Sequence, residues 1–138
     1  MNRKDYALEV IYGTSRGQDT YGWNIVSLRD NWEHKKRYRT CGGGYDMLGT
    51  VFAYWLQENY MDRIKAKLKP IDYDVENTDR QVREYGFFKK GESYWLDGAC
   101  GFDCLKSIAI KVGLEVRSNY NQRRKCTDYI FVRDTLAE

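Results

Sequence analysis

The chain has 138 residues, with 23 Lys and Arg against 20 Asp and Glu, so its formal charge is only +3. This length predicts a single globular domain over residues 1–138. Hydrophobic residues at 42% and aromatic residues at 15% exclude an intrinsically disordered chain. Apolar runs are too short for a transmembrane helix, and residues 1–5 lack the apolar core of a signal peptide. We therefore expect a soluble, intracellular protein without membrane contact.

The first forty residues predict strands. Residues 6–12 and 23–28 are rich in strand-forming side chains and flank a turn-like stretch, which indicates a hairpin with a long loop. Residues 33–40 are basic and predict a third strand. Three consecutive glycines, Gly42, Gly43 and Gly44, then exclude regular structure.

A helix is predicted from Met47 onward, because apolar residues recur there at helical spacing. Asp46 stands at the expected N-cap, and Pro70 is expected to stop the helix. The apolar stripe consists of Met47, Leu48, Val51, Phe52, Trp55, Leu56, Tyr60, Ile64 and Leu68.

The second half repeats this alternation of strands and helix. The polar residues 71–83 predict a surface connection, and residues 85–89 and 93–96 predict a hairpin turning at Lys90-Gly91. Leu105, Ile108, Ala109 and Val112 predict a second helix, with Gly113 as the residue that follows its end. Residues 114–118 and 127–133 predict a last hairpin. The predicted fold class is α+β: antiparallel hairpins with two helices packed on one face.

Two segments of the chain resemble each other, Gly44-Tyr45-Asp46 and Gly101-Phe102-Asp103. One interpretation is a pseudo-twofold internal repeat, in which each Asp caps a helix, each aromatic ring packs inward and both helix N-termini approach a shared site. The other interpretation is two ordinary strand-to-helix turns that resemble each other by chance.

The stretch Cys-Gly-Gly-Gly-Tyr-Asp-Met-Leu-Gly-Thr at 41–50 and the stretch Leu-Asp-Gly-Ala-Cys-Gly at 96–101 carry a family resemblance. Followed by Ile108-Ala109, they resemble small bacteriophage- and prophage-encoded proteins with the same pair of helix starts. The resemblance covers roughly residues 38–113. It implies an accessory phage protein that acts on host defence, transcription or nucleic-acid machinery, and it implies no particular activity.

The four cysteines are Cys41, Cys100, Cys104 and Cys126. Without export, free reduced thiols are the default, and zinc is the alternative. Structural zinc takes four ligands, usually as two close pairs, whereas only Cys100 and Cys104 are close and His34 is the sole histidine. We predict four reduced thiols, no metal and no cofactor.

The glycine-rich turns are candidates for phosphate binding, because backbone N–H groups at helix N-termini suit anions. Neither turn matches a Walker or dinucleotide-binding pattern, and Asp46 and Asp103 would repel a phosphate. Structural turns are the competing interpretation. The candidate residues are Gly42, Gly43, Gly44, Gly98 and Gly101.

A cysteine nucleophile is a second possibility. The sequence Asp97-Gly98-Ala99-Cys100 resembles the Asp-Gly-x-Cys helix start of ovarian-tumour-type deubiquitinases, which implies a hydrolase with Cys100 as nucleophile. Those enzymes take their histidine downstream of the cysteine, but no histidine follows Cys100 here. His34 would have to act as the base.

Two basic clusters interleave tyrosine with cations, which suits phosphate contact and base stacking, although solvated hairpin faces explain them equally well. Aromatic residues with arginine are also typical of protein interfaces. We therefore predict a non-enzymatic protein that binds a host protein or nucleic acid, with the loop at 119–125 as the main contact. The predicted binding residues are Lys35, Lys36, Arg37, Arg39, Arg117, Tyr120, Arg123, Arg124 and Lys125.

Overall fold

A computed structural model describes residues 4–10, 23–30, 33–41, 47–73, 85–122 and 126–137. Its elements, in chain order, are β1 (Lys4–Val10), β2 (Trp23–Asp30), β3 (Glu33–Cys41), α1 (Met47–Lys67), β4 (Ile71–Asp72), β5 (Phe87–Lys90), β6 (Ser93–Leu96), a 3₁₀ turn (Gly98–Cys100), α2 (Phe102–Lys111), β7 (Leu114–Asn121) and β8 (Cys126–Asp134). The predicted α+β class is confirmed. The three predicted hairpins are also present, and they alternate along the chain with the two helices.

The chain divides into two compact units. The first comprises residues 1–48 and 113–138, and the second comprises residues 49–112. Each unit is described by itself. The single domain expected from chain length stays a prediction.

The first unit is built on a five-stranded sheet in the order β3-β2-β1-β8-β7. All four of its strand pairs are antiparallel, and the first and last hairpins meet where β1 pairs with β8. Alternation along the central strands sets the two faces of this sheet. Leu8, Ile130 and Val132 are fully buried, whereas Tyr129, on the opposite face, is 44% exposed.

The second unit contains α1, whose predicted apolar stripe is confirmed: Val51, Phe52, Trp55, Leu56, Tyr60 and Ile64 are all buried. The ring of Phe52 packs on that of Phe102 at the start of α2, with ring centres 5.8 Å apart. The helix ends at Lys67, three residues before Pro70, whose ring excludes the helical conformation for the residue before it.

A three-stranded sheet, β4-β5-β6, completes the second unit. The predicted hairpin of β5 and β6 is confirmed, and it turns at Gly91, which has a φ of +61°. Residues 71–83 are expected to form a surface connection; the structure has the short strand β4 at its start, and residues 74–83 lie outside the described residues. Ile71–Asp72 pairs in parallel with β5. The N–H of the next residue, Tyr73, donates to the Lys89 carbonyl at 2.8 Å and continues this pairing. The sequence did not predict this strand, because two residues are too few to show the alternation of apolar and polar side chains that indicates a strand.

The start of α2 corrects one expectation. Gly101, at a φ of +93°, is the N-cap residue, and no side chain caps the helix there. Asp103 is therefore not a cap; it is exposed in the first helical turn, where its charge favours the helix dipole. Phe102 is half-buried, as the repeat requires. Residues 44–46, the other half of the repeat, lie outside the described residues.

The end of α2 confirms the sequence analysis. Leu105, Ile108, Ala109 and Val112 are buried, and Gly113 follows the helix with a φ of +91°. Among the residues that the structure describes, neither helix combines the length and the apolar character that crossing a bilayer requires.

Candidate functional site

The outward face of the five-stranded sheet carries two aromatic side chains on its fourth strand. Tyr129 and Phe131 alternate on β8 with the buried Ile130 and Val132, so this strand is apolar on both faces. Tyr129 is 44% exposed and Phe131 is half-buried. Single exposed aromatics are ordinary, but two on one strand form a feature that the burial of a core does not explain.

The pairing register places a small residue beside these rings. Ala7, in the middle of β1, pairs with Arg29 on one side and with Phe131 on the other. Because the alanine side chain is short, it forms the floor of a depression of about 390 Å³. Its lining is Ala7, Glu9, Arg117, Tyr129 and Phe131. We call this depression, together with its bordering ion pairs, the sheet-face site.

Three arginine–carboxylate pairs border the sheet-face site. Arg29 contacts Glu9 at 2.7 Å, Arg117 contacts Glu115 at 2.9 Å, and Arg133 contacts Asp5 at 2.7 Å. The Arg133 guanidinium makes a second hydrogen bond to Asp5 at 3.3 Å and lies 5.7 Å from the Phe131 ring centre. The charges of these six side chains cancel within the three pairs, so the pairs themselves present oriented polar groups without net charge.

The predicted basic clusters belong to this same sheet, at opposite edges. Residues 35–39 lie on β3 and residues 117–121 lie on β7, with three strands between them, or about 19 Å. Lys35 and Lys36 are exposed, and Lys35 pairs with Glu33 at 3.0 Å. The two clusters therefore do not form one compact patch. Arg123, Arg124 and Lys125, and the side chains of Arg37, Arg39 and Tyr120, lie outside the described part of the structure.

The second unit brings Cys100 and Cys104 together. Cys100 ends the 3₁₀ turn and Cys104 is the third residue of α2, and both carry free thiols. A Cβ placed on Gly86 would lie 2.6 Å from the Cys100 sulfur and 3.0 Å from the Cys104 sulfur. Both sulfurs therefore pack against the backbone of Gly86, which has no side chain and a φ of +83°.

The two thiols differ in acidity. A hydrogen bond to Cys104, burial and the nearby charges of Cys104 and Asp97 raise the pKa of the Cys100 thiol. The hydrogen bond from Cys100 lowers the pKa of Cys104, against the effect of burial and with help from the Lys111 charge. When protonated, Cys104 donates to the Tyr85 carbonyl at 2.9 Å, which holds its proton in place. Of the pair, Cys104 ionises first, because its thiolate keeps a donor in Cys100.

This difference predicts the order in which the thiols react. Since the thiolate is the nucleophile, iodoacetamide is expected to modify Cys104 at a lower pH than Cys100. Both residues fall in the tryptic peptide 91–106, so fragmentation mass spectrometry can assign each modification. Modification of Cys100 first, at any pH, would contradict the assignment.

The proposed Cys100–His34 pair receives no support from the thiol chemistry, because the pKa of Cys100 is raised and not lowered. The His34 side chain lies outside the described residues, so the pairing itself stays a prediction. Sequence reasoning missed Cys104 as the more acidic thiol, because its acidity depends on tertiary contacts with Cys100 and Lys111. It also missed Tyr129 and Phe131, although the doubly apolar strand 129–133 was a visible signal.

The turn before α2 uses part of its donors internally. The N–H of Cys100 donates to the Asp97 carbonyl and the N–H of Gly101 to the Gly98 carbonyl, both at 3.2 Å. With Asp97 before the turn and Asp103 after it, the local charge opposes an anion. Phosphate binding at Gly98 and Gly101 stays a prediction, and Gly42, Gly43 and Gly44 lie outside the described residues.

A further concave surface of about 430 Å³ lies beside Tyr54 and Trp95 in the second unit. One of its polar groups is already used, because the Gln57 side-chain carbonyl accepts the N–H of Leu96 at 3.0 Å. Gly98 also lines it, and a Cβ there would lie 3.0 Å from the Thr50 Cα. Among the described residues that line it, Asp97 alone is charged.

Comparisons with protein-family models, with curated proteins and with solved structures find no match to this chain. The resemblance to phage-encoded proteins therefore stays a prediction, and the functional argument depends on the geometry of the sites themselves.

Proposed function

We propose that this protein binds another protein through the sheet-face site, and that it acts as a phage-encoded accessory protein in the cytoplasm of the bacterial host. One observation carries the proposal: the sheet face holds an exposed Tyr129 and a half-buried Phe131 around a depression lined by Ala7. Tyrosine, phenylalanine and arginine are enriched in protein interfaces, and a pocket beside them accommodates an anchoring side chain of the partner.

The ion pairs favour a protein over a nucleic acid as the partner. A polyanion gains affinity from unneutralised cations, whose condensed counterions it releases. Arg29, Arg117 and Arg133 are each engaged with a carboxylate within 3 Å. Such pairs orient their guanidinium groups for hydrogen bonds around an apolar centre, which is the arrangement of a polar rim.

The basic residues between β7 and β8 favour a partner whose surface carries an acidic patch. Arg123, Arg124 and Lys125 follow one another along the chain, and like charges at such spacing cost self-repulsion without stabilising the fold. The strands that carry this loop also carry Arg117, Tyr129 and Phe131, all of which line the sheet-face site. The loop is therefore proposed as a second part of the same interface.

The test begins with capture of partners on the immobilised protein from host lysate, once without and once with nuclease treatment, followed by reconstitution from purified components. Replacing Arg123, Arg124 and Lys125 together with Ala is expected to weaken binding at least tenfold, about 1.4 kcal/mol, with an unchanged melting temperature. Fluorescence anisotropy over a salt series gives the affinity of both forms.

The same series separates the alternatives. A protein partner is expected to lose affinity only gradually with salt, and the loop variant is expected to have the shallower dependence. Steep loss of affinity with salt, together with loss of the captured partner on nuclease treatment, would identify a nucleic acid and contradict the proposal. If the loop variant binds the partner with normal affinity, the loop is not part of the interface.

A further inference from the structure

The strongest unexplained feature outside the sheet-face site is the thiol pair of Cys100 and Cys104. A purely structural cysteine is an inert small apolar side chain and needs no particular neighbour. Here two sulfurs flank the same glycine, each within 3.0 Å of the point where a Cβ of Gly86 would stand, so the missing side chain leaves room for both.

We propose that Cys100 and Cys104 form a redox-active dithiol that exchanges with small disulfides of the oxidised-glutathione class and closes to an intramolecular disulfide. Cys104 is the attacking residue and Cys100 is the resolving residue. This activity is independent of the proposed interface, which lies in the other unit of the chain.

Proximity is the first argument. Both sulfurs lie within 3.0 Å of the point where a Gly86 Cβ would stand, and one thiol donates to the other. A disulfide needs a sulfur–sulfur distance of about 2.05 Å, and the two sulfurs already lie beside one backbone position from which side-chain rotation brings them together. Cys100 lies in a 3₁₀ turn and not inside α2, so the helix itself stays intact when the bond forms.

Access is the second argument. Cys104 is half-buried and lines a pocket of about 140 Å³ together with Tyr85, Ser107 and Lys111. Lys111 follows Cys104 by two helical turns, so its ammonium group lies on the same side of α2. A disulfide that carries carboxylates, such as oxidised glutathione, is attracted by this charge. The resolving Cys100 does not line this pocket.

The exchange balances without another reactant. The Cys104 thiolate attacks one sulfur of the small disulfide, which forms a mixed disulfide and releases one thiol. Cys100 then loses its proton to the departing thiolate and attacks the Cys104 sulfur, which forms the Cys100–Cys104 bond and releases the second thiol. The protein loses two protons and two electrons, and the small disulfide gains them and is reduced to two thiols. Excess thiol reverses the reaction.

The experiment uses the reduced full-length chain with oxidised glutathione at neutral pH. Trypsin separates the cysteines conveniently: Cys100 and Cys104 share peptide 91–106, whereas Cys41 and Cys126 fall in peptides 40–63 and 126–133. We expect peptide 91–106 to lose the mass of two hydrogens and to resist alkylation. Cys100→Ser is expected to accumulate glutathione on Cys104, and Cys104→Ser is expected to react at least tenfold more slowly.

Three results would overturn the proposal. They are equal rates for the two serine variants, a stable glutathione adduct in the unaltered chain, and a disulfide that involves Cys41 or Cys126 instead. Circular dichroism checks the fold of each variant. If a variant does not fold, the relative alkylation rates of Cys100 and Cys104 in the unaltered chain decide which thiol attacks, and a faster Cys100 refutes the assigned roles.

Discussion

Replacing Gly86 with Ala is expected to lower the free energy of unfolding by about 2–4 kcal/mol. Two effects add. The backbone at Gly86 has a φ of +83°, which costs any residue with a Cβ, and the new methyl group would lie 2.6 Å from the Cys100 sulfur. The position cannot shift freely, because the Gly86 carbonyl accepts the N–H of Asp97 at 2.9 Å. Urea unfolding monitored by tryptophan fluorescence measures the loss.

Gly91 provides the matched control. Its φ is +61°, but nothing lies within 4 Å of a Cβ built there, so Gly91→Ala is expected to cost only the backbone component, about 1 kcal/mol. In a Cys100→Ala background the removed sulfur leaves room, and Gly86→Ala is expected to cost clearly less than in the unaltered chain. Equal costs at Gly86 and Gly91, or an unchanged cost in that background, would show that the sulfurs do not crowd Gly86.

Replacing Tyr129 with Ala is expected to weaken binding of the purified partner about 30-fold, or about 2 kcal/mol, without a comparable loss of stability. Tyr129 is 44% exposed and pairs across the sheet with Glu9 and Asn119, so little core packing is lost with its ring. At an interface the same ring would be fully desolvated, which is the condition under which aromatic truncation is costly. Isothermal titration calorimetry gives the affinity and thermal unfolding gives the stability.

Tyr54 is the matched control for that substitution. It is 58% exposed, it lies on α1 in the second unit, and it lines the concave surface beside Trp95. Tyr54→Ala is expected to leave the affinity within twofold of the unaltered chain. If Tyr54→Ala weakens binding and Tyr129→Ala does not, the interface lies on the second unit and the sheet-face site is an ordinary surface.

Local signals sufficed for most of the fold. Residues close in sequence show the helical spacing from Leu48 to Ile64 and the glycine, Gly113, that ends the second helix. The structure confirms both features. The sheet order depends on the pairing of β1 with β8, which joins residues at least 120 positions apart and leaves no local trace. The N-cap was misassigned because Gly101 and Asp103 are both acceptable helix-start residues, and the backbone conformation at Gly101 decides between them.

The candidate sites were less accessible from sequence than the fold. Lys35, Lys36 and Arg117 were predicted as binding residues from local clusters of basic residues, whereas their placement at opposite edges of one sheet required the strand order. The role of Ala7 depends on its two cross-strand neighbours, Arg29 and Phe131, and alanine in a strand carries no signal of its own. Cys104 gains its acidity from a neighbouring thiol and Lys111, which are tertiary contacts.

Site-specific photo-crosslinking tests the proposed interface most directly. A benzophenone amino acid is introduced in place of Tyr129 in one form of the protein and in place of Tyr54 in another, since both side chains are exposed. After irradiation with the purified partner, we predict a crosslinked product from position 129 that competes away with unlabelled protein, and none from position 54. A product from position 54 alone, or equal products from both positions, would contradict binding through the sheet-face site.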